Sequence, residues 1–568
     1  MTGDTTWVQG SAASLPKRLT CAGLDLLILL LFITVVAIIL TGGGATHVAG
    51  STIRVRGVEN PIWILTALVV ARYAFGDCPV FGARRWPVGL VLRRGTALMV
   101  AIPSAAGRRF RYPVVALTIV AIVVFGIRVF LAWSSPGFFS GDDVEIHEMT
   151  LGALLGKPWP VWNLRCAFFP MTFVYPAQWL AMQVGWSSPD ALVLAGRTVV
   201  ALVSTAAVPL VWHVARQVAP DEPRLGALAV ILLSINKLQM SFGSSELPRP
   251  VSTTLVLAAF FYAMKNTPIR SVLAGLLLGT AVALRFSEVV FIPAALVTIP
   301  RERYVANASV LLIFAGGMAA TIIGLSDQLY WGHPFSSLAA AIDYSVVQRQ
   351  SSRGYEPPWE YLRIIPSWST YVFVALAVLG TSRRDPYGWW LWLPIGILSL
   401  LPHKESRYLL PVIPFFCIAV ASGLLRLTFW FEQTIAVEGQ RQWTRDLAPP
   451  LLLLAVLHDV GGWRLSRSNE GVRLAGHLTS TGMVGLAVQD SWRLGGRPYL
   501  WPLDPVTEMS SATLTNEVAL AAALKYATFV ALRSRVARTV GDPVLQAHGY
   551  TRDPGWRGED YALYAKAR

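Results

Sequence analysis

Charge is what this sequence has least of. Asp, Glu, Lys and Arg make up 14% of its 568 residues, against about 25% in a soluble globular protein. With 54% of the chain hydrophobic, the shortfall excludes an ordinary water-soluble domain and marks a membrane protein. Cysteine is scarce too: Cys21, Cys78, Cys166 and Cys417 form no C-x-x-C pair, which argues against a disulfide framework and structural zinc. There is no P-loop and no G-x-G-x-x-G on a strand–helix turn, so no nucleotide-driven motor is visible. His147 and Glu148 are not followed by a second His at H-E-x-x-H spacing, so a protease-type zinc site is not supported. Solenoid repeats and low-complexity tracts are also missing.

What remains is apolar runs separated by short basic tracts. The formal charge of +15 sits in stretches such as Arg84-Arg85 and Arg93-Arg94, the pattern of cytoplasmic loops rather than of nucleic-acid binding. Twenty-one Trp and 36 Pro suit bilayer interfaces and spanning helices. A span needs about 20 mostly apolar residues. Candidates lie at 21–41, 61–75, 112–133, 191–213, 224–241, 250–266, 270–286, 287–300, 305–325, 366–381, 387–401, 408–430 and 449–462. The first follows Lys17 and Arg18 and is longer than a signal-peptide core, so its N-terminus is expected in the cytoplasm.

The fold expected is therefore an all-α polytopic membrane protein of about thirteen transmembrane helices, with a small C-terminal extracytoplasmic α/β domain. Three regions follow: an extra transmembrane pair and basic cytoplasmic loop at 1–111, a transmembrane core at 112–461, and the outer domain at 462–568. The apolar stretch Phe168 to Val184 carries two Pro and reads as an interfacial or re-entrant helix rather than a crossing. Basic-loop bias puts 134–190, 325–365 and 402–408 on the outer side.

Those outer loops hold the residues a membrane makes expensive. Asp142, Asp143, Glu145 and Glu148 place four carboxylates within seven residues, which repel unless a cation, a proton or a ligand compensates. A base that takes a proton from a sugar hydroxyl wants such placement at a helix end; a hydrated acidic loop is the plain alternative. His403, Lys404, Glu405 and Arg407 put four titratable groups in five residues between two spans, a cost expected where a pathway or ligand needs them. On one helical turn Lys404 and Arg407 would both reach an anionic headgroup. Asp327 and Tyr330 open a loop rich in Tyr, Trp and Arg, fit for sugars, lipid headgroups or an interfacial belt. Glu246 and Arg249 near an outer helix end, and Arg197 and Arg285 in or beside apolar segments, read singly as helix-end or paired charges.

The block Pro402-His403-Lys404-Glu405-Ser406-Arg407-Tyr408-Leu409-Leu410-Pro411 closely resembles the H-K-E-x-R-F-x-x-P signature of the lipid-linked-sugar mannosyltransferases. That family, of glycosyltransferase family 22 type, includes the GPI mannosyltransferases and belongs to the GT-C glycosyltransferases. Tyr408 stands where Phe is usual. Gly141-Asp142-Asp143 is similar to the family's first-loop acidic motif, with Gly for Pro and Asp143 for Glu. Arg165 before Phe169-Pro170, the run Ser244-Ser245-Glu246 to Thr254, Leu284-Arg285-Phe286 and Asp327 to Gly332 also have counterparts in order. The resemblance covers roughly residues 112–462; the extra N-terminal spans mark a divergent, bacterial member, placed in the plasma membrane.

The resemblance implies an inverting transfer of a hexose, typically mannose, from a polyprenyl-phosphate-linked donor to an acceptor hydroxyl on a glycan or glycolipid at the outer face. Asp142 or Asp143 would be the base. Lys404 and Arg407 would hold the phosphate, helped by Arg285, with His403 and Glu405 orienting them or the sugar. Glu145, Arg165, Glu246, Asp327 and Tyr330 are candidate acceptor or loop contacts. Beyond the donor no cofactor is implied, and metal dependence stays open because the acidic oxygens suit a divalent ion. The alternatives are another GT-C transfer, of a pentose or aminosugar or onto protein, and a lipid-linked-sugar flippase or transporter. No paired interrupted halves of the transporter kind are visible.

Overall fold

A computed structural model describes residues 15–41, 44–48, 51–55, 57–74, 113–434 apart from 139, 158, 160, 266 and 349–353, 451–463, and 469–567 apart from 483. The basic loop expected at 76–111 lies outside the described residues. Apolar runs become helices here because a bilayer offers no water to backbone N–H and C=O groups, so each segment must satisfy its own.

A helix lies at every expected span, but length sorts them. Among the described residues, five helical segments are long and apolar enough to cross a membrane: 23–40, 114–133, 189–218, 301–331 and 406–430. Others are shorter, including Pro223–Ile235, Pro268–Leu284, Phe286–Thr298, Tyr371–Gly380 and Leu451–Gly461. Several of these stop at a polar residue. Asn236 ends the 223–235 helix and accepts from the N–H groups of Leu238 and Gln239 at 3.1 and 3.2 Å. Arg285 ends the 268–284 helix in extended backbone. Irregular backbone at membrane depth is tolerated where protein encloses it or it lines a cavity.

The 406–430 segment is the central one. Of its apolar stretch 78% is buried in protein, against 11% for 114–133, which faces outward. It crosses Tyr371–Gly380 at glycines: a Cβ on Gly380 would lie 1.8 Å from the Ala419 carbonyl oxygen, and one on Gly423 1.9 Å from that of Leu376. Small residues let backbones approach this closely where no hydrophobic effect drives helices together.

At the N-terminal end, helices Leu15–Thr41 and Glu59–Ala74 flank a hairpin of β1 (Gly44–Val48) and β2 (Ser51–Val55). The pair is tied by Arg72 Nε to Asp25 Oδ1 at 2.8 Å and shares an apolar core with Leu454. Phe168 to Val184 folds as a π-helical turn, Pro170–Val174, and the helix Tyr175–Gln183. Together they are too short to cross a bilayer.

The C-terminal region is an α/β unit. Strands β3 (Leu486–Val488), β4 (Val506–Glu508), β5 (Phe529–Arg533), β6 (Tyr550–Arg552) and β7 (Tyr561–Lys566) form one sheet in the order β4-β3-β5-β7-β6. β3 runs parallel to β4 and β5, while β7 is antiparallel to β5 and β6. Alternating side chains divide between two cores. Val530, Leu532 and Tyr564 pack with Leu520 and Leu545. Val488, Phe529 and Leu563 pack with Leu474, and that core continues into Phe138 and Val144. The unit therefore sits directly on the acidic helix Gly141–Leu154. Tyr499 Oη donates to Asp190 Oδ1 at 2.6 Å and accepts from the Gly137 N–H at 3.4 Å. The Arg497 N–H donates to Glu148 Oε1 at 3.2 Å.

Two outcomes are expected from this packing. Gly423→Ala forces a methyl into a backbone oxygen, so it should cost about 1–3 kcal/mol or more and lower the melting temperature in detergent; wild-type melting would contradict the close crossing. Burial pushes the Glu148 carboxyl from 4.5 up to about 7, so ionising it in the fold costs stability that is lost as pH rises from about 4.5 and fully lost above about 7. Glu148→Gln keeps an acceptor for the Arg497 N–H. It should raise the melting temperature at pH 8 by about 1–3 °C and leave it unchanged at pH 5; an equal shift at both would contradict the interface.

Candidate active site

The acidic helix begins at Ser140, whose backbone is extended (φ −151°, ψ 169°). Its N–H donates to Asp143 Oδ2 at 3.2 Å, the reciprocal half of a capping box in which a third-turn-position acid reaches back to the cap. Asp143 is 0% exposed. Burial first, and then the Glu246 charge, push its carboxyl up to about 8.

Asp142, one residue earlier, has a different surrounding. Arg165 Nη2 donates to its Oδ1 at 2.7 Å. Its Oδ2 faces Arg407 Nη2 at 3.2 Å and Arg285 Nη2 at 3.9 Å. Burial alone would raise this carboxyl, but the three guanidiniums outweigh it and hold it far below the ordinary carboxylate range. Its side chain keeps 22% exposure, so it is reachable where Asp143 is not.

The arginines come from three separate segments. Arg165 also pairs with Glu145 through Nε, and its carbonyl accepts from Trp331 Nε1 at 3.2 Å. Arg285 stands at the C-terminal end of its helix, and its guanidinium donates no hydrogen bond among the described residues; Asp142 is its ion-pair partner. Arg407 opens the 3₁₀ segment Ser406–Val412. Its Nη1 donates to Ser140 Oγ at 3.0 Å and its Nε pairs with Glu405.

Lys404 is placed differently. Glu405 is extended (φ −130°, ψ 145°), so Lys404 and Arg407 do not share a helical turn. The Lys404 ammonium, on a residue 4% exposed, donates to the carbonyls of Glu356 at 2.8 Å and Leu401 at 2.7 Å. It pins the loop at Glu356 against the motif. His403 Nε2 lies 3.1 Å from Glu405 Oε1 and its Nδ1 lies 3.7 Å from Glu356 Oε2.

Behind the acidic helix is a buried polar layer. Arg197 Nε donates to Glu246 Oε1 at 2.6 Å, and its Nη1 donates to the carbonyls of Ser135 at 2.7 Å and Ala132 at 3.3 Å. His147 bridges Glu246 Oε1 at 3.3 Å and Gln178 Nε2 at 2.6 Å. Glu246 and Arg197 thus clamp the turn that leads into Ser140. Asp327 is 0% exposed and caps another helix, accepting from Ser337 N at 2.8 Å and Oγ at 2.7 Å. Tyr330 stacks edge-on against Trp331 at 4.8 Å. Neither has an ion pair or hydrogen bond to Asp142 or its arginines. Sequence reasoning missed Ser140, Gln178 and Glu356, and it read Arg249 only as a helix-end charge, whereas its guanidinium lies 4.1 Å from the Tyr408 ring centre. Ser, Gln and Glu in loops carry no pattern that would have singled them out.

Among the described residues no three His, Cys, Asp or Glu side chains group as around a metal ion. The chemistry the cluster offers is a partly exposed carboxylate among cations in a low-dielectric setting, suited to proton abstraction beside an anion.

Residues 155–467, more than half of the chain, match the Alg9-like mannosyltransferase family. No curated protein matches the chain. The structure of ArnT from Cupriavidus metallidurans bound to undecaprenyl phosphate is similar with a TM-score of 0.55 and 14% identity, over 80% of this chain and 97% of that one. ArnT in its apo state is similar with a TM-score of 0.54 and 14% identity, over 81% and 98%. At that identity the likeness is one of fold, and the fold is that of the GT-C membrane glycosyltransferases. The chain therefore belongs to the Alg9-like mannosyltransferase family and is a membrane glycosyltransferase.

Proposed function

We propose that this enzyme transfers mannose, with inversion, from a polyprenyl-phosphate donor to an acceptor hydroxyl on a glycan or glycolipid outside the cytoplasm. The observation that carries the reading is Asp142 set among Arg165, Arg285 and Arg407. A transfer from a lipid phosphate needs one base and a cationic site for the leaving group, close together at a membrane boundary. The undecaprenyl phosphate in the ArnT structure supports a donor of this chemistry, and the family supports mannose.

Asp142 acts as the base, because Asp143 is enclosed and ties the helix cap. In the transfer the acceptor oxygen forms its bond to the anomeric carbon as the carbon–phosphate oxygen bond breaks. The acceptor proton goes to Asp142, and the bonding pair leaves with the phosphate as its anion. Arg407 and Arg285 stabilise that anion, while Lys404, His403 and Glu405 hold Arg407 and the loop at Glu356 in place. Glu145 and Arg165 lie beside Asp142 on the side where the acceptor approaches. On this reading the chain makes about thirteen crossings, divides at 112 and 462, and carries its C-terminal unit and this site at the extracytoplasmic face, a sidedness that the basic tracts between apolar runs support. That unit covers the acidic helix.

Transfer of radiolabelled mannose from polyprenyl-phosphate mannose to a lipid-linked glycan tests the reading. Asp142→Asn should lower kcat by about 10²–10⁴, and Arg285→Gln should raise donor KM by about tenfold. Transfer from a different sugar phosphate alone would replace mannose. Wild-type turnover by Asp142→Asn would remove it as the base, and translocation of the lipid without transfer would favour a flippase.

A further inference from the structure

The cations that a departing phosphate requires are already engaged, and the group engaging them is the base. The two Asp142 oxygens are held unequally. Oδ1 takes a direct hydrogen bond from Arg165 at 2.7 Å, and Arg165 is itself fixed by Glu145. Oδ2 faces Arg407 at 3.2 Å and Arg285 at 3.9 Å. Arg407 has anchors that do not depend on Asp142, namely Ser140 and Glu405. The Arg285 guanidinium has no hydrogen bond to lose among the described residues.

We propose that Asp142 and the donor phosphate compete for Arg407 and Arg285, so that seating the donor frees Asp142 Oδ2 to act as the base while Arg165 keeps Oδ1 in place. This rests on the polyprenyl-phosphate reading and deepens it. A carboxylate ringed by three guanidiniums is a poor proton acceptor, since each cation favours its ionised form. A phosphate on the same two guanidiniums neutralises them and returns the carboxylate to useful basicity. The site is then silent toward acceptor hydroxyls until a donor is present, and the charge exchange imposes an order on the reaction. The proton balance is unchanged: the acceptor O–H proton goes to Oδ2, and the arginines receive the leaving phosphate.

The test is equilibrium binding, which does not need turnover. Farnesyl phosphate is titrated calorimetrically into the full chain in detergent. Asp142→Asn, which keeps shape and removes the competing charge, should bind on the order of tenfold more tightly than wild type. Glu145→Gln, which removes a carboxylate from Arg165 alone, should stay within about threefold. Adding Arg285→Gln to Asp142→Asn should cancel the gain. Asp142→Ser repeats the measurement should the Asn variant fail to fold. Wild-type binding with equal or weaker binding by the Asp142 variants would overturn the exchange and leave the donor reading standing, because the carboxylate would then be organising the arginines. No binding of farnesyl phosphate by folded wild type would overturn the donor reading and this proposal with it.

Discussion

The structure depends on neutralising Asp142. Ionised groups brought out of water at a membrane boundary cost several kcal/mol each unless paired and hydrogen-bonded. Here one carboxylate is compensated by guanidiniums from the loop at Arg165, the helix end at Arg285 and the 3₁₀ segment at Arg407. Two of the three stand where helical geometry changes: 268–284 ends in extended backbone at Arg285, and Ser406–Val412 is 3₁₀ before the long central helix. The broken helices and the charge cluster are one arrangement, since irregular backbone and buried charge each need the other to be satisfied.

Around that cluster the molecule builds a support of buried polar contacts. Arg197 holds the carbonyls of the turn before Ser140, Glu246 and His147 back it, and Lys404 ties the loop at Glu356 to the signature motif. The C-terminal unit adds a second wall by packing Tyr499 against Phe138, ring centres 5.6 Å apart, and by docking on Val144. The position of Asp142 is thus set from the membrane core and from the C-terminal unit together. A catalytic group needs its geometry held to within about 0.5 Å by surrounding packing.

Much of this was legible in the sequence, for physical reasons. Apolar runs of bilayer length mark helices, and the H-K-E-x-R block and the acidic block are contiguous, so pattern alone finds them. What pattern missed lies in convergence and backbone shape. Arg165 and Arg285 are picked out only by the family resemblance, and their convergence on Asp142 is visible only in the fold. Lys404 looks like Arg407's partner on a helix, and only the extended backbone at Glu405 shows its ammonium turned to two carbonyls. Asp142 and Asp143 are indistinguishable as letters, yet one is a partly exposed ion and the other an enclosed helix cap. Docking of the C-terminal unit has no local signal, because it is made by scattered apolar residues.

On the exchange proposed above, Asp142 and the donor phosphate share one set of cations. The most direct measurement is a structure of the enzyme with a polyprenyl phosphate bound. The phosphate oxygens should lie within about 3 Å of the Arg407 and Arg285 guanidiniums, with Asp142 still on Arg165 and its Oδ2 turned to the acceptor side. A phosphate seated away from both arginines, with the Asp142 ion pairs intact, would contradict it.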